Sequence, residues 1–307
     1  MIGAHDPGAW ARLTLMGMMW GGSYVAIAVA LRDMGPLTVA AARLVLATVA
    51  LAAAARVWGA RMPGFGAPGG RRVWAFALAM AMLSNAAPFV LLAWAQQHVA
   101  AGVAAIFMAL LPLATLPLAH LFIPGEGLTT RKAAGFAVGV AGTITLIGPQ
   151  ALGDMGGAGL ELLAELACVA VVLSYACGSI VAKRAPAAHP IAMSAAMAGL
   201  AAVAIVPVAL VVEQPWTVAL SAEAAAAMVW LALLSTALGQ VLTLQVLARA
   251  GPSFLSLVNF MIPIWGLAFA ALLLSETPPL RAALALPLIL LGVAIARGAR
   301  PVREVAS

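Results

Sequence analysis

The chain carries little charge. Only 8% of its 307 residues are Asp, Glu, Lys or Arg, against about 25% in a soluble domain. Apolar residues make up 64% and the mean hydropathy is +1.09. No packing scheme in water hides so much apolar surface, so lipid must solvate most of the chain. Carboxylates are scarce, ten in all, and none lies at mid-depth of an apolar run. Glu161 and Glu165 stand near one end of a run, and Glu126 and Glu276 stand at loop edges. This excludes a proton relay built on a midplane carboxylate. Cysteine is nearly absent. Cys168 and Cys177 fall on one expected helix, about 13 Å apart along its axis, beyond disulfide reach. The four histidines, His5, His98, His120 and His189, are isolated from one another, so no metal site and no cofactor is expected. There is no His-carboxylate catalytic pairing and no phosphate-cradling glycine loop. The net charge of +6 does not point to nucleic acid, because the basic residues are scattered between apolar runs.

What is present is a succession of apolar runs. Hydropathy divides the chain into ten expected spans: 10–31, 36–57, 73–95, 100–122, 131–148, 160–182, 190–212, 223–246, 252–274 and 280–297. The first has the roughly twenty residues that cross a bilayer and ends at Arg32 and Asp33, so it reads as a span rather than a cleavable leader. Loop 58–72 is rich in Gly, Pro and Arg, and the glycine-rich stretch 149–159 is the natural link between halves. Charge sets the orientation. With the N-terminus in the cytoplasm, the outer loops hold only Arg32 and Arg281, and Arg43 lies within a span. The other thirteen of the sixteen Lys and Arg lie inside. The positive-inside rule therefore puts both termini in the cytoplasm.

The chain also repeats itself. Pro112, Glu126, Arg131 and Gly142 recur as Pro263, Glu276, Arg281 and Gly292. Pro36 matches Pro190, Ser84 matches Ser235, and Ala100 matches Gly251. Proline, glutamate, arginine and glycine in one order at nearly one spacing exceed what a small membrane alphabet produces. The expected units are residues 1–150 and 151–307, five spans each. An odd number of spans per unit inverts the second in the membrane. Such folds place a substrate site near the midplane between repeats.

At this point the chain resembles a family. The ten spans, the two five-helix repeats and the run Pro112, Gly125-Glu126-Gly-Leu-Thr129, Gly142 are similar to the EamA branch of the drug/metabolite transporter superfamily. The stretch Asn85-Ala-Ala-Pro88-Phe-Val-Leu-Leu-Ala-Trp94 resembles the third span of that family, and Trp20-Gly-Gly-Ser-Tyr24 and Arg43 its first and second. The resemblance covers nearly the whole chain but does not fix a substrate. It implies a multi-pass transporter of the bacterial inner (plasma) membrane, not an enzyme, with the YddG-type exporters of aromatic amino acids the nearest type.

A transport path needs polar or aromatic groups inside the bundle, where lipid cannot reach them. The expected substrate-binding residues are Trp20, Ser23, Tyr24, Asn85, Phe89, Tyr175, Ser179, Gln240, Asn259 and Trp265. Ser174, Tyr175 and Ser179 answer the first-span cluster within the repeat. The buried amides need several partners each, which favours a cavity wall over lipid. Hydroxyls also bond their own backbone in membrane helices, so a packing role stands beside the binding one. Trp10, Trp58, Trp74, Trp94, Trp216 and Trp230 lie nearer span ends and read as interfacial belt residues. Arg43 is open to two readings, anchoring to the outer interface or helix terminus, or binding substrate. Pro112 and Pro263 each remove a helix hydrogen bond and are the expected hinges.

The expectation is an all-α membrane transporter that exports small metabolites by alternating access. The favoured substrates are neutral amino acids, aromatic ones among them, in facilitated rather than proton-driven transport. The partners are the small substrate and the bilayer. Fusion of the halves suggests a functional monomer. A multidrug exporter of lipophilic cations is the alternative, and a membrane enzyme or scaffold the third reading.

Overall fold

The computed structural model describes residues 7–124, 127, 129–147, 159–255 and 257–297. Among these it is helical throughout, with no strand. The helices are α1 (Pro7–Ala30), α2 (Pro36–Val57), α3 (Gly70–Ala95), α4 (Ala101–Phe122), α5 (Thr130–Ile147), α6 (Gly159–Arg184) and α7 (Pro190–Val212). Helix α8 begins as Ala222–Val229, passes through Trp230–Leu238 and continues as Gly239–Leu255. Helices α9 (Val258–Leu274) and α10 (Leu280–Arg297) follow. Seven helices, α1 to α4 and α6 to α8, are long and apolar enough to cross a membrane. Helices α5, α9 and α10 are shorter.

Local chemistry sets several helix starts. Prolines open α1, α2 and α7, where the missing N–H costs nothing. Ser221 caps α8 by accepting from the Ala224 N–H at 3.2 Å. The expected break between spans at 247–251 does not occur. The backbone stays helical to Leu255 and turns at Leu257. In lipid every backbone group needs an internal partner, which favours extending the helix over opening it at a single proline.

The packing follows a simple rule. Helix α1 lies on α9 and α8, and α6 lies on α4 and α3. Helix α2 packs on α7, α4 on α9, and α5 on α10. Exchanging the first five helices for the second five, in order, leaves this pattern unchanged. Between apolar helices in lipid there is no hydrophobic drive, so close van der Waals packing must hold them. At the α5–α10 crossing the backbones nearly touch. A Cβ on Gly292 would sit 2.6 Å from the Gly135 carbonyl oxygen and 2.6 Å from the Gly139 nitrogen.

The same exchange relates two irregular turns. Helix α3 widens to a π-turn at Met82–Ala86, and α8 does so at Trp230–Leu238. Ser84 and Ser235, matched by the repeat, lie within them. A π-turn breaks the regular i to i−4 ladder and often marks a functional site. Ser174 of α6 donates to the Leu83 carbonyl at 2.7 Å. Trp20 of α1 donates its Nε1–H to the Ser235 carbonyl at 2.9 Å. Each turn thus hands a carbonyl to the neighbouring helix of the other half.

Candidate functional site: a central cavity with one buried arginine

A cavity of about 300 Å³ lies between α1, α2, α3, α4, α6, α7, α8 and α9. That is the lower end of the ~300–1,000 Å³ usual for ligand sites and suits a small metabolite. Both tyrosines of the protein, Tyr24 on α1 and Tyr175 on α6, line it. They are 151 positions apart, as are Ser84 and Ser235, which also line it. The two π-turns therefore face one space, together with Asn85, Gln240 and Asn259.

Arg43 gives the cavity its charge. It is 8% exposed. Its Nε–H donates to Thr236 Oγ1 at 2.9 Å, and its Nη2 donates to Ser235 Oγ at 3.4 Å. The guanidinium carbon lies 3.8 Å from the centroid of the Phe89 ring, a cation–π contact. Ser235 Oγ also shares a 2.6 Å hydrogen bond with Ser23 Oγ, so α1, α2, α3 and α8 meet at this point. Among the described residues Arg43 has no carboxylate partner, and no carboxylate lines the cavity. An arginine stays charged in proteins, and a buried charge is costly unless paired. Two hydroxyls and a ring face use only part of its five-donor fork.

The symmetry is broken here. Counting from the paired Pro36 and Pro190, the position answering Arg43 is Met197, which also lines the cavity. One half offers a cation where the other offers a thioether.

The profile of the EamA-like transporter family matches the sequence twice, over residues 10–148 and 162–298. The chain belongs to this family. It is a multi-pass membrane transporter and not an enzyme. A protein of Streptantibioticus cattleyicolor named "Probable terminal-alkyne amino-acid exporter" is 36% identical over 137 residues. That stretch is 45% of this chain and 43% of the relative, so the match spans less than half of either. A solved crystal structure of a protein 20% identical in sequence superposes with a TM-score of 0.65. The superposition covers 95% of this chain and 96% of the other, a likeness of fold.

In this EamA transporter, eight of the residues singled out from sequence come together on the cavity wall: Trp20, Ser23, Tyr24, Asn85, Phe89, Tyr175, Gln240 and Asn259. Two do not reach it. Trp265 stands in the α1–α9 contact against Gly17 and Gly21, and its ring lies 5.5 Å from Phe269 in a stacked pair. Ser179 donates to its own helix, to the Ala176 carbonyl at 2.7 Å. Trp230, read as a belt residue, instead lies over Gly22 of α1 and donates to the Met19 carbonyl at 3.1 Å. The glycine leaves a hollow that the indole fills. Ser84, Ser235 and Thr236, polar residues at mid-span, complete the polar wall together with Ser194, which the sequence did not mark. The signal for two of them was the serine pair in the repeat.

The repeated motif lies elsewhere. Glu276 accepts from the Ala101 and Gly102 N–H groups, both at 3.0 Å, and so caps α4. Glu126 lies outside the described residues. Arg281 pairs with Glu161 and lies 3.5 Å from Glu165, both on α6. Arg131 donates to the Ile295 carbonyl of α10 at 2.9 Å. Pro112 is the second residue after a 3₁₀ turn at Met108–Leu110 within α4, while Pro263 sits inside the regular α9.

Proposed function

We propose that this transporter exports neutral amino acids, aromatic ones among them, and that Arg43 holds the substrate carboxylate. The observation that carries the reading is the buried guanidinium at the cavity wall with no carboxylate partner among the described residues. Two N–H donors in a fork match a carboxylate. The amides of Asn85, Gln240 and Asn259 and the hydroxyl of Ser194 serve the substrate ammonium with oxygen acceptors. Trp20, Tyr24, Phe89 and Tyr175 flank the side chain, where ring contacts are worth roughly 0.5–1.5 kcal/mol each. The relative named as an amino-acid exporter supports this class.

The alternative, a multidrug exporter of lipophilic cations, is disfavoured by the same residue. A buried positive charge repels such a substrate, and no lining carboxylate offsets it.

The mechanism proposed is alternating access between two inverted five-helix repeats, residues 1–150 and 151–307, across ten spans with both termini cytoplasmic. The double family match, the exchange symmetry of the packing and the paired π-turns support it. Pro112 and Pro263 serve as hinges, each removing a helix hydrogen bond. Transport runs down the substrate gradient, and a single chain suffices.

The test is counterflow in proteoliposomes. Labelled phenylalanine should exchange, and phenethylamine, which lacks the carboxylate, should not compete. Exchange of a quaternary cation with no exchange of phenylalanine would overturn the reading.

A further inference from the structure

Outside the central cavity, a groove of about 910 Å³ runs between α3, α4 and α6. Its walls are apolar, with Phe76 and Ala79 on α3, Leu118 and Phe122 on α4, and Ile180 on α6. It lies at the surface of the bundle, where Phe122 is 48% exposed. One end is cationic. Arg72 stands in the first turn of α3, and Arg184 is the last residue of α6. Among the described residues neither makes an ion pair, and no carboxylate lines the groove. A smaller hollow shares Phe122 and Arg184 and adds His120.

A surface groove at this depth is solvated by lipid, so its occupant is an acyl chain. The question is which headgroup sits above it. A zwitterionic headgroup brings an ammonium that finds no anion here. An anionic one leaves its phosphate to the two guanidiniums. Basic pockets between membrane helices favour anionic lipid headgroups. We propose that this groove is a binding site for an anionic phospholipid, with the phosphate between Arg72 and Arg184 and one acyl chain along Phe76, Leu118 and Ile180. Both arginines lie on the Lys/Arg-rich side, which makes the lipid one of the cytoplasmic leaflet. The leaflet assignment rests on the orientation proposed above; the headgroup preference does not.

Cys177 supplies the probe, since it lines the groove while Cys168 is buried. The protein is reconstituted in phosphatidylcholine vesicles with and without phosphatidylglycerol. Modification of Cys177 by uncharged N-ethylmaleimide is then followed by mass spectrometry. Phosphatidylglycerol should slow the reaction several-fold in the wild type. The pair Arg72→Ala and Arg184→Ala should lose that effect, and the pair Arg72→Lys and Arg184→Lys should keep most of it. If the alanine pair fails to fold, Ala79→Phe fills the groove with both arginines intact and should abolish the difference between lipids. Equal rates in the two lipids would overturn the proposal. So would equal protection by free inorganic phosphate, or protection by a transported amino acid in place of the lipid.

Discussion

Arg43 concentrates the chemistry of the cavity in one side chain. Replacing it with alanine removes a charge-assisted pair worth roughly 1.5–3 kcal/mol. Affinity for phenylalanine should fall about tenfold to a hundredfold, measured by competition in counterflow. Arg43→Lys keeps the charge but loses the planar fork over Phe89 and should recover only part of the loss. Asp33 is a separate case in the turn between α1 and α2. It accepts from the Ser221 N–H at 2.8 Å, and its Ser221 hydrogen bonds hold the Asp33 carboxyl below its usual value. A depressed pKa means the stabilising contribution is complete above the ordinary carboxylate value and is lost as pH falls through the folded one. The difference in thermal stability between wild type and Asp33→Asn should hold steady from neutral pH to about 5 and close below about 4. A difference that instead closed near neutral pH would contradict this assignment.

Helices meet in this protein through termini and glycines more than through ion pairs. Glu213 accepts from the Leu37 and Thr38 N–H groups at 3.0 and 2.7 Å, and Glu276 does the same for α4. A carboxylate across two N-terminal N–H groups satisfies orphan donors and meets the positive end of the dipole. Glu276→Ala should cost about 1–2 kcal/mol in detergent unfolding. The exposed Arg32–Glu223 pair at 3.3 Å contributes far less. Gly292→Leu should also destabilise, by about 1–3 kcal/mol or more, because its side chain enters the α10–α5 backbone contact. Span positions were legible from hydropathy because lipid imposes length and polarity. Rotation about each helix axis was not. In a helix apolar on every face, depth alone placed Trp265 and Ser179 beside Trp20 and Tyr24. Their azimuths turn them to the α1–α9 contact and to their own backbone. The π-turns left no mark in the sequence beyond the paired serines.

The two halves share one packing plan and depart from it at Arg43, the residue proposed to hold the substrate carboxylate. Repeated residues, the tyrosines and the π-turn serines, make a cavity that alone would favour neither end of a zwitterion. The exchange of arginine for methionine between Arg43 and Met197 gives it direction. The family and its duplication were readable because proline, glycine, glutamate and arginine recur at fixed spacing. The weight of Arg43 was not, since its neighbours Ser235, Thr236 and Phe89 come from helices remote in sequence and only the fold joins them. The most direct test is therefore counterflow of labelled phenylalanine against phenylalanine, phenethylamine and a quaternary cation, in wild type and in Arg43→Ala. The account predicts that only phenylalanine competes in wild type and that its advantage over phenethylamine disappears in the variant. Equal competition by phenethylamine in wild type, or an undiminished preference for phenylalanine in Arg43→Ala, would contradict it.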